Sequence, residues 1–298
     1  MSRRTGDTTH ERLAYVDYAT VAWLGRVLPT TTGRVLFRWA GSAAFHLMPK
    51  VRAVVAANQA QVLGRPLDDP LVRASTRLAF RSYARYWFDA FDVVTWSDER
   101  IREALPFEGL EEVRELLAGG KGVLAVAPHL GNWDAAGRAL GAHSIVLLSI
   151  AERLRPEALF DLFLRHRRDL GMDIIGLADN GGVGQTLTTA LSEGRFVALV
   201  ADRNLSGRGV EVEMFGARRL LPAGPAVLAL RSGAPVVTAD IYETPSGWRC
   251  SLRPVVFTAG GDRRADVEAL TQAIADRFEA AIAASPSQWH LFQPGWPA

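Results

Sequence analysis

Two short runs constrain the fold more than anything else in the chain: VLAVAP (123–128) and the VALVA stretch within RFVALVAD (195–202) have no polar face at all. A strand that is apolar on both sides must be covered on both sides, which is the situation in a parallel sheet flanked by helices. The segments around them repeat the alternation. A helical pattern near Trp133 to Leu140 is followed by SIVLLSI (144–150), a helix from Pro156 to Leu170, DIIGLA (173–178) and a helix from Val183 to Leu191. Beyond residue 202 the reading is GVEVEMF (209–215) as extended chain and Pro225 to Arg231 as a short helix. Then come APVVTADIYE (234–243) and WRCSLRPVV (248–256) as two antiparallel strands, and Ala265 to Ala284 as a closing helix. The first hundred residues read differently, with apolar residues at three-to-four spacing over Arg12 to Leu28, Thr32 to Leu47, Pro49 to Leu63 and Leu71 to Val94. The expected class is α/β, a mostly parallel central sheet covered by helices on both faces, with additional N-terminal helices. A single domain is expected over 1–298, with a helical region at 1–119 and an α/β core at 120–298.

Composition narrows the function classes. The chain has 298 residues, 48% hydrophobic and 22% charged, which excludes a disordered or collagen-like polymer. Its one cysteine, Cys250, leaves no internal disulfide or cysteine-based metal cluster, and points to a reducing compartment. Charged residues interrupt every apolar stretch before it reaches the roughly 18 residues of a spanning helix, and the opening MSRRTGDTTHERLAY lacks a signal-peptide apolar core. Net charge is only +2, yet every basic residue except Lys50 and Lys121 is arginine, a side chain suited to bidentate phosphate binding. Two aromatic and basic stretches admit two readings. Tyr15, Tyr18 and Trp23 lie among Arg12 and Arg26, and Arg81 and Arg85 lie beside Tyr86, Trp87 and Phe88. They fit a membrane interface, or ordinary amphipathic helices packing inward.

Ligands of open α/β sheets collect at the carboxyl ends of the strands. Three such ends deliver ionisable groups: Pro128-His129, Ala151-Glu152 and Ala201-Asp202-Arg203. In VLAVAPHLGNWDAAG, His129 leaves the strand and Asp134 follows five positions later, past a turn on Gly131 and Asn132. An aspartate in the first turn of the next helix can hold one imidazole nitrogen protonated while the other accepts a proton, which makes His129 a candidate general base. Spacing alone fits a structural histidine equally well; placement at the end of a buried strand favours the site.

These residues resemble a known family. H-L-G-N-W-D is similar to the H-x-x-x-x-D signature of the glycerolipid acyltransferase superfamily, in the branch of lipid A and phosphatidylinositol mannoside acyltransferases. ADRNLSGRGVEVEMFG and the following LPAGPAVLALRSGAPVV are similar to that branch's later motifs, so the resemblance is specific over about residues 120–240 and textural over the N-terminal helices. It implies His129 as base and Asp134 as its orienting partner. It also implies Glu152 and Arg167 at the site, and Asp202 as a site carboxylate where the nearest relatives carry the longer glutamate. The implied reaction moves a fatty acyl group, palmitoyl for instance, from acyl-CoA to a sugar hydroxyl of a membrane glycolipid, foremost a mannose of phosphatidylinositol mannoside. Acyl carrier protein is an alternative donor. No cofactor, metal or nucleic-acid partner is implied, and the setting is the cytoplasmic face of the membrane, bound peripherally. Acylation of another envelope lipid or a lysophospholipid, and non-catalytic lipid binding, stay open.

The residues support the same chemistry independently. An alcohol attacking a thioester must lose a proton, and a placed histidine contributes about 10²–10⁴-fold to such a step. The Gly131-Asn132 turn amides, the following helix N-terminus or Arg167 can receive charge on the carbonyl oxygen, and Arg167 can alternatively pair with Glu152. No G-x-S-x-G elbow is present and Cys250 lies in a strand expected to be away from the site, which favours direct transfer without an acyl-enzyme. Arg203 and Arg208 are candidates for phosphate contacts or solvated surface. Glu211 and Glu213 share a strand face, directed to the site or to solvent. His166 reads as a helix-surface residue, and the Asn180-Gly181-Gly182 loop does not complete a nucleotide-binding fingerprint.

Overall fold

The computed structural model describes residues 9–153, 155–176, 182–204 and 207–296. Four helices come first: α1 (Thr9–Val27), α2 (Thr30–Leu47), α3 (Pro49–Leu63) and α4 (Pro70–Asp92). A short α5 (Asp98–Ala104), β1 (Phe107–Glu108) and α6 (Leu110–Ala118) lead into the alternation. It runs β2 (Val123–Ala127), α7 (Trp133–Ala142), β3 (Leu147–Ala151), α8 (Glu157–Asp169), β4 (Asp173–Gly176), α9 (Val183–Ser192) and β5 (Phe196–Val200). A separate hairpin of β6 (Val210–Met214) and β7 (Ala217–Leu221) comes next, then α10 (Gly224–Ser232), β8 (Val236–Glu243), β9 (Trp248–Pro254) and α11 (Arg263–Ala284).

The main sheet has the order β1-β9-β8-β2-β5-β3-β4. From β8 to β4 every neighbouring pair is parallel, and β9 turns back antiparallel to β8, as the apolar runs predict. Each parallel strand serves two cores. Leu124 and Val126 of β2, with Val197 and Leu199 of β5, pack under α9, α10 and α11. Val123, Ala125 and Phe196 face α5, α6 and α7 instead. Two-sided burial is therefore why these strands read as unbroken apolar runs. The two-residue β1, which pairs with β9 at the sheet edge, is too short to leave a periodic signal.

The N-terminal helices approach closely because α2 presents Gly33, Phe37, Gly41 and Phe45 as one buried stripe at i, i+4 spacing. A Cβ on Gly33 would sit 2.0 Å from the Phe88 ring of α4, so only glycine admits that contact. The outer face of α2 leaves Trp39 73% exposed and Leu47 78% exposed, and α1 leaves Trp23 exposed. The second aromatic stretch behaves otherwise. Arg85, Tyr86 and Phe88 of α4 are buried, so those residues pack inward against the core rather than facing outward. Tyr18 of α1 joins them, packing on Trp87, Phe91 and Phe163. Among the described residues no helix is long and apolar enough to cross a membrane.

Candidate active site

β2 and β5 are neighbours in register, with Ala127 opposite Val200, and the pairing continues one step as Ala201 N–H donates to Ala127 O at 2.9 Å. The chains leaving these two strands therefore emerge side by side. His129 and Asp202 meet there. The Asp202 carboxylate accepts from His129 Nδ1 and also from the His129 backbone amide at 3.0 Å. Trp289 Nε1 donates to the same carboxylate at 2.7 Å. Asp202 is completely buried, which by itself would raise its pKa. The opposing pull of the His129 charge and the donated hydrogen bonds wins and lowers it to about 2. An ionised acceptor on Nδ1 fixes the tautomer, leaving Nε2 of His129 as the proton-accepting nitrogen.

This arrangement corrects the expected pairing of His129 with Asp134. Asn132 caps α7 by accepting from Ala135 N–H at 2.9 Å, and the first helical turn directs Asp134 toward α4 and α8. There its two oxygens are taken by Arg167 Nε at 3.0 Å and the Tyr86 hydroxyl at 2.7 Å. Burial opposes the Arg167 charge, but the Asp134 carboxylate more than compensates and raises its pKa. Tyr86, buried beside the same carboxylate, is held firmly in its protonated form. Asp134 thus positions Arg167, whose guanidinium also stacks over Phe163 at 4.2 Å, and the alternative Arg167–Glu152 ion pair is not the one formed.

His129, Asp134, Glu152, Arg167 and Arg203 all line one cavity of about 370 Å³ between the sheet, α7 and α4. Its deeper wall is apolar and built of small residues, Ala125 and Ala198 on the strands with Ala136 and Gly137 on α7. Here Gly137 leaves room for the ends of the Met172 and Leu147 side chains, which a Cβ would meet at 2.1 and 3.0 Å. Cys250 lines the cavity too, a correction to its expected place away from the site; burial pushes its thiol pKa up, so it is a wall residue and not a nucleophile. Arg203 donates to Gln293 at 2.9 Å. Glu211 is not brought to the site: it is exposed on the outer face of β6 and pairs with Arg218 at 2.9 Å. His166 is buried against Phe91, 4.3 Å between ring centroids, rather than lying on the helix surface. Asn180 and Gly181 lie outside the described residues.

Sequence reasoning missed the C-terminal segment that completes the site. Residues 288–290 run beside the turn that carries His129. Gly131 N–H donates to Gln288 O at 3.0 Å, and His290 N–H donates to His129 O at 2.7 Å. The Gly131 amide is thereby committed, which removes it as a candidate for stabilising an oxyanion. The only signal was a run, WHLFQP at 289–294, unusually aromatic for the end of a chain.

A buried carboxylate–imidazole pair stands at the carboxyl end of a parallel sheet and opens on an apolar cavity, an arrangement that can move a proton beside an apolar ligand. Comparison with known proteins gives the class directly. Residues 6–297 match the family described as bacterial lipid A biosynthesis acyltransferase, and the chain belongs to that acyltransferase family. It is 38% identical over 247 residues to the phosphatidylinositol mannoside acyltransferase of Mycolicibacterium smegmatis, covering 81% of this chain and 78% of the relative. It is likewise 38% identical over 249 residues to the Mycobacterium tuberculosis protein of the same name, covering 81% of this chain and 76% of that one.

Proposed function

We propose that this chain transfers a fatty acyl group, such as palmitoyl, from acyl-CoA to a sugar hydroxyl of a membrane glycolipid, with a mannose of phosphatidylinositol mannoside as the acceptor. The observation that carries the reading is the Asp202-held imidazole of His129 at the mouth of an apolar cavity. His129 Nε2 takes the proton from the attacking hydroxyl as the new C–O bond forms. The tetrahedral intermediate collapses with cleavage of the C–S bond, and the imidazolium returns its proton to the departing thiolate. No acyl-enzyme is needed. With the Gly131 amide engaged, the Asn132 amide, the N-terminal turn of α7 and the Arg167 guanidinium are the groups left to receive the oxyanion. Asp134 and Tyr86 hold Arg167 at the cavity, and Arg167, Arg203 and Glu152 supply the polar contacts around the reacting groups. The relatives' shared name supports the acceptor.

Attachment to the cytoplasmic face of the membrane is part of the same reading. Trp23, Trp39 and Leu47 stand exposed on the first two helices, whose arginines can meet lipid phosphates. The test of the chemistry is His129→Ala in a protein whose circular dichroism is unchanged. Transfer from labelled palmitoyl-CoA to the mannoside acceptor falls by about 10²–10⁴-fold if His129 is the base; near-normal turnover removes it from that role.

A further inference from the structure

His290 is a second imidazole of the cavity wall, and nothing in the acyl-transfer steps uses it. It is 4% exposed, its ring 5.3 Å from that of Tyr83, 5.7 Å from Tyr86 and 6.1 Å from Trp133. Its main-chain amide is tied to His129 O, so the two histidines share one rigid corner of the site. On one side the ring is fully committed. Nε2 lies 2.8 Å from Ser82 Oγ, and that hydroxyl donates to Glu243 Oε1, also at 2.8 Å. The other Glu243 oxygen accepts from Arg85, which is itself paired with Asp89 at 2.8 Å. On the other side, Nδ1 is buried and has no partner.

Burial raises the Glu243 pKa, and the Arg85 charge and the Ser82 hydrogen bond oppose it; with Glu243 as a carboxylate, the protons of this chain can be placed in one way. The Ser82 hydrogen points at Glu243, so Ser82 Oγ can only accept from His290, and the His290 proton sits on Nε2. Nδ1 is left as a bare lone pair. Burial and the neighbouring His129 charge lower the His290 pKa to about 3, so the ring stays neutral and Nδ1 stays an acceptor across the working pH range. A buried acceptor without a donor is unfavourable, and in native structures such a group is completed by an ordered water, an ion or a ligand, or serves the chemistry of the site. His290 borders the same cavity as His129, with aromatic rings around it and its backbone bonded to the general base, so a molecule seated beside His129 can supply that donor.

We propose that His290 Nδ1 accepts a hydrogen bond from a second hydroxyl of the acceptor, adjacent to the hydroxyl that His129 deprotonates, and that Ser82 and Glu243 act as positioning residues fixing the tautomer that makes this possible. The site then selects a polyol over a simple alcohol. This rests on the acyltransferase reading above and deepens it, by adding the chemical feature that the acceptor must carry.

The test uses the full chain, palmitoyl-CoA, octyl α-D-mannopyranoside and the monodeoxy analogues of that mannoside. If the wild-type protein transfers no acyl group to the intact mannoside, or does so undiminished after His129→Ala, the underlying function reading fails, and that failure is distinct from a failure of the second-hydroxyl contact. With transfer established, one deoxy analogue that still bears the acylated hydroxyl should lose about tenfold in kcat/KM with the wild-type protein. Ser82→Ala and His290→Phe should lose a similar factor on the intact mannoside and nothing further on that analogue, whereas His290→Asn, which keeps an acceptor near the Nδ1 position, should recover part of it. A purely structural role would lower all acceptors equally and leave the discrimination intact. That pattern overturns the proposal. So does a wild-type protein that accepts every such analogue within twofold of the parent, a comparison that needs no variant to fold.

Discussion

Asp202→Asn separates the carboxylate that orients the base from the one that merely stands near it in sequence. In the folded protein one oxygen of Asp202 takes His129 Nδ1, and the other takes the His129 amide at 3.0 Å and Trp289 Nε1 at 2.7 Å. An asparagine must keep its single oxygen on the side with two donors. Its NH₂ group then faces Nδ1, donor against donor, and the imidazole relieves this by moving its proton to Nε2. That is the nitrogen needed to deprotonate the acceptor. General-base loss of this kind is worth about 10²–10⁴-fold, and a carboxylate-to-amide change that leaves the wrong tautomer is known to reach about 10⁴-fold in a serine protease. We expect kcat to fall by about 10³-fold and the KM for palmitoyl-CoA to change little. Stability should fall as well. With a folded pKa of about 2 against 3.8 unfolded, the ionised Asp202 contributes about 2 kcal/mol near neutral pH, present above pH 4 and lost as pH falls through 2. The assay is labelled palmitoyl transfer alongside Asp134→Asn, which leaves the His129–Asp202 pair intact and weakens the hold on Arg167. Turnover of Asp202→Asn within tenfold of wild type, with Asp134→Asn a thousandfold slower, would refute this assignment and return the orienting role to Asp134.

Buried groups near the site give two further expected outcomes. His166 and His290 have pKa values lowered by burial to about 4 and about 3, from 6.5 in the unfolded chain. The unfolded state therefore takes up protons below pH 6.5 that the folded state refuses, so stability drops as pH falls from 6.5 toward 4, by about 2 kcal/mol for each ring at pH 5. Urea midpoints at pH 7 and pH 5 measure this: His166→Phe should lose about 2 kcal/mol less than wild type between the two pH values, and an unchanged pH dependence in the variant would show that this ring is not buried neutral. Gly131→Ala should abolish transfer. At φ 64° an alanine is strained, and its Cβ would lie 2.3 Å from Ile241 O, so the turn carrying His129 must shift. Full activity in a correctly folded Gly131→Ala protein would show that the turn tolerates such movement.

The fold is largely legible in the sequence because the signals for it are local. VLAVAP and the apolar centre of RFVALVAD announce doubly covered strands, and the amphipathic helices between them leave a parallel sheet as the arrangement that covers both faces. Glu211 shows the limit of that legibility. Its strand and its alternation with Glu213 are readable, but which face of the β6–β7 hairpin meets the protein depends on α11 packing beneath Val212 and Met214. The burial of His166 is hidden for a related reason. Flanked by Arg165 and Arg167 it looks solvated, yet α1 and α4 close over it, and no local pattern reports a helix arriving from 140 residues away.

By itself the sequence determined that His129 would stand at the carboxyl end of a buried strand with other charged strand ends near it, because strand burial and strand direction are set by short-range pattern. Only the tertiary structure decided which carboxylate the imidazole meets. Strand order is a property of the whole sheet: β5 lies against β2, so Asp202 arrives from 73 residues away, while the helix that begins after Asn132 turns the nearer Asp134 toward Arg167. The C-terminal segment then closes the corner with Trp289 and His290, and that contact exists only once every strand between has been placed.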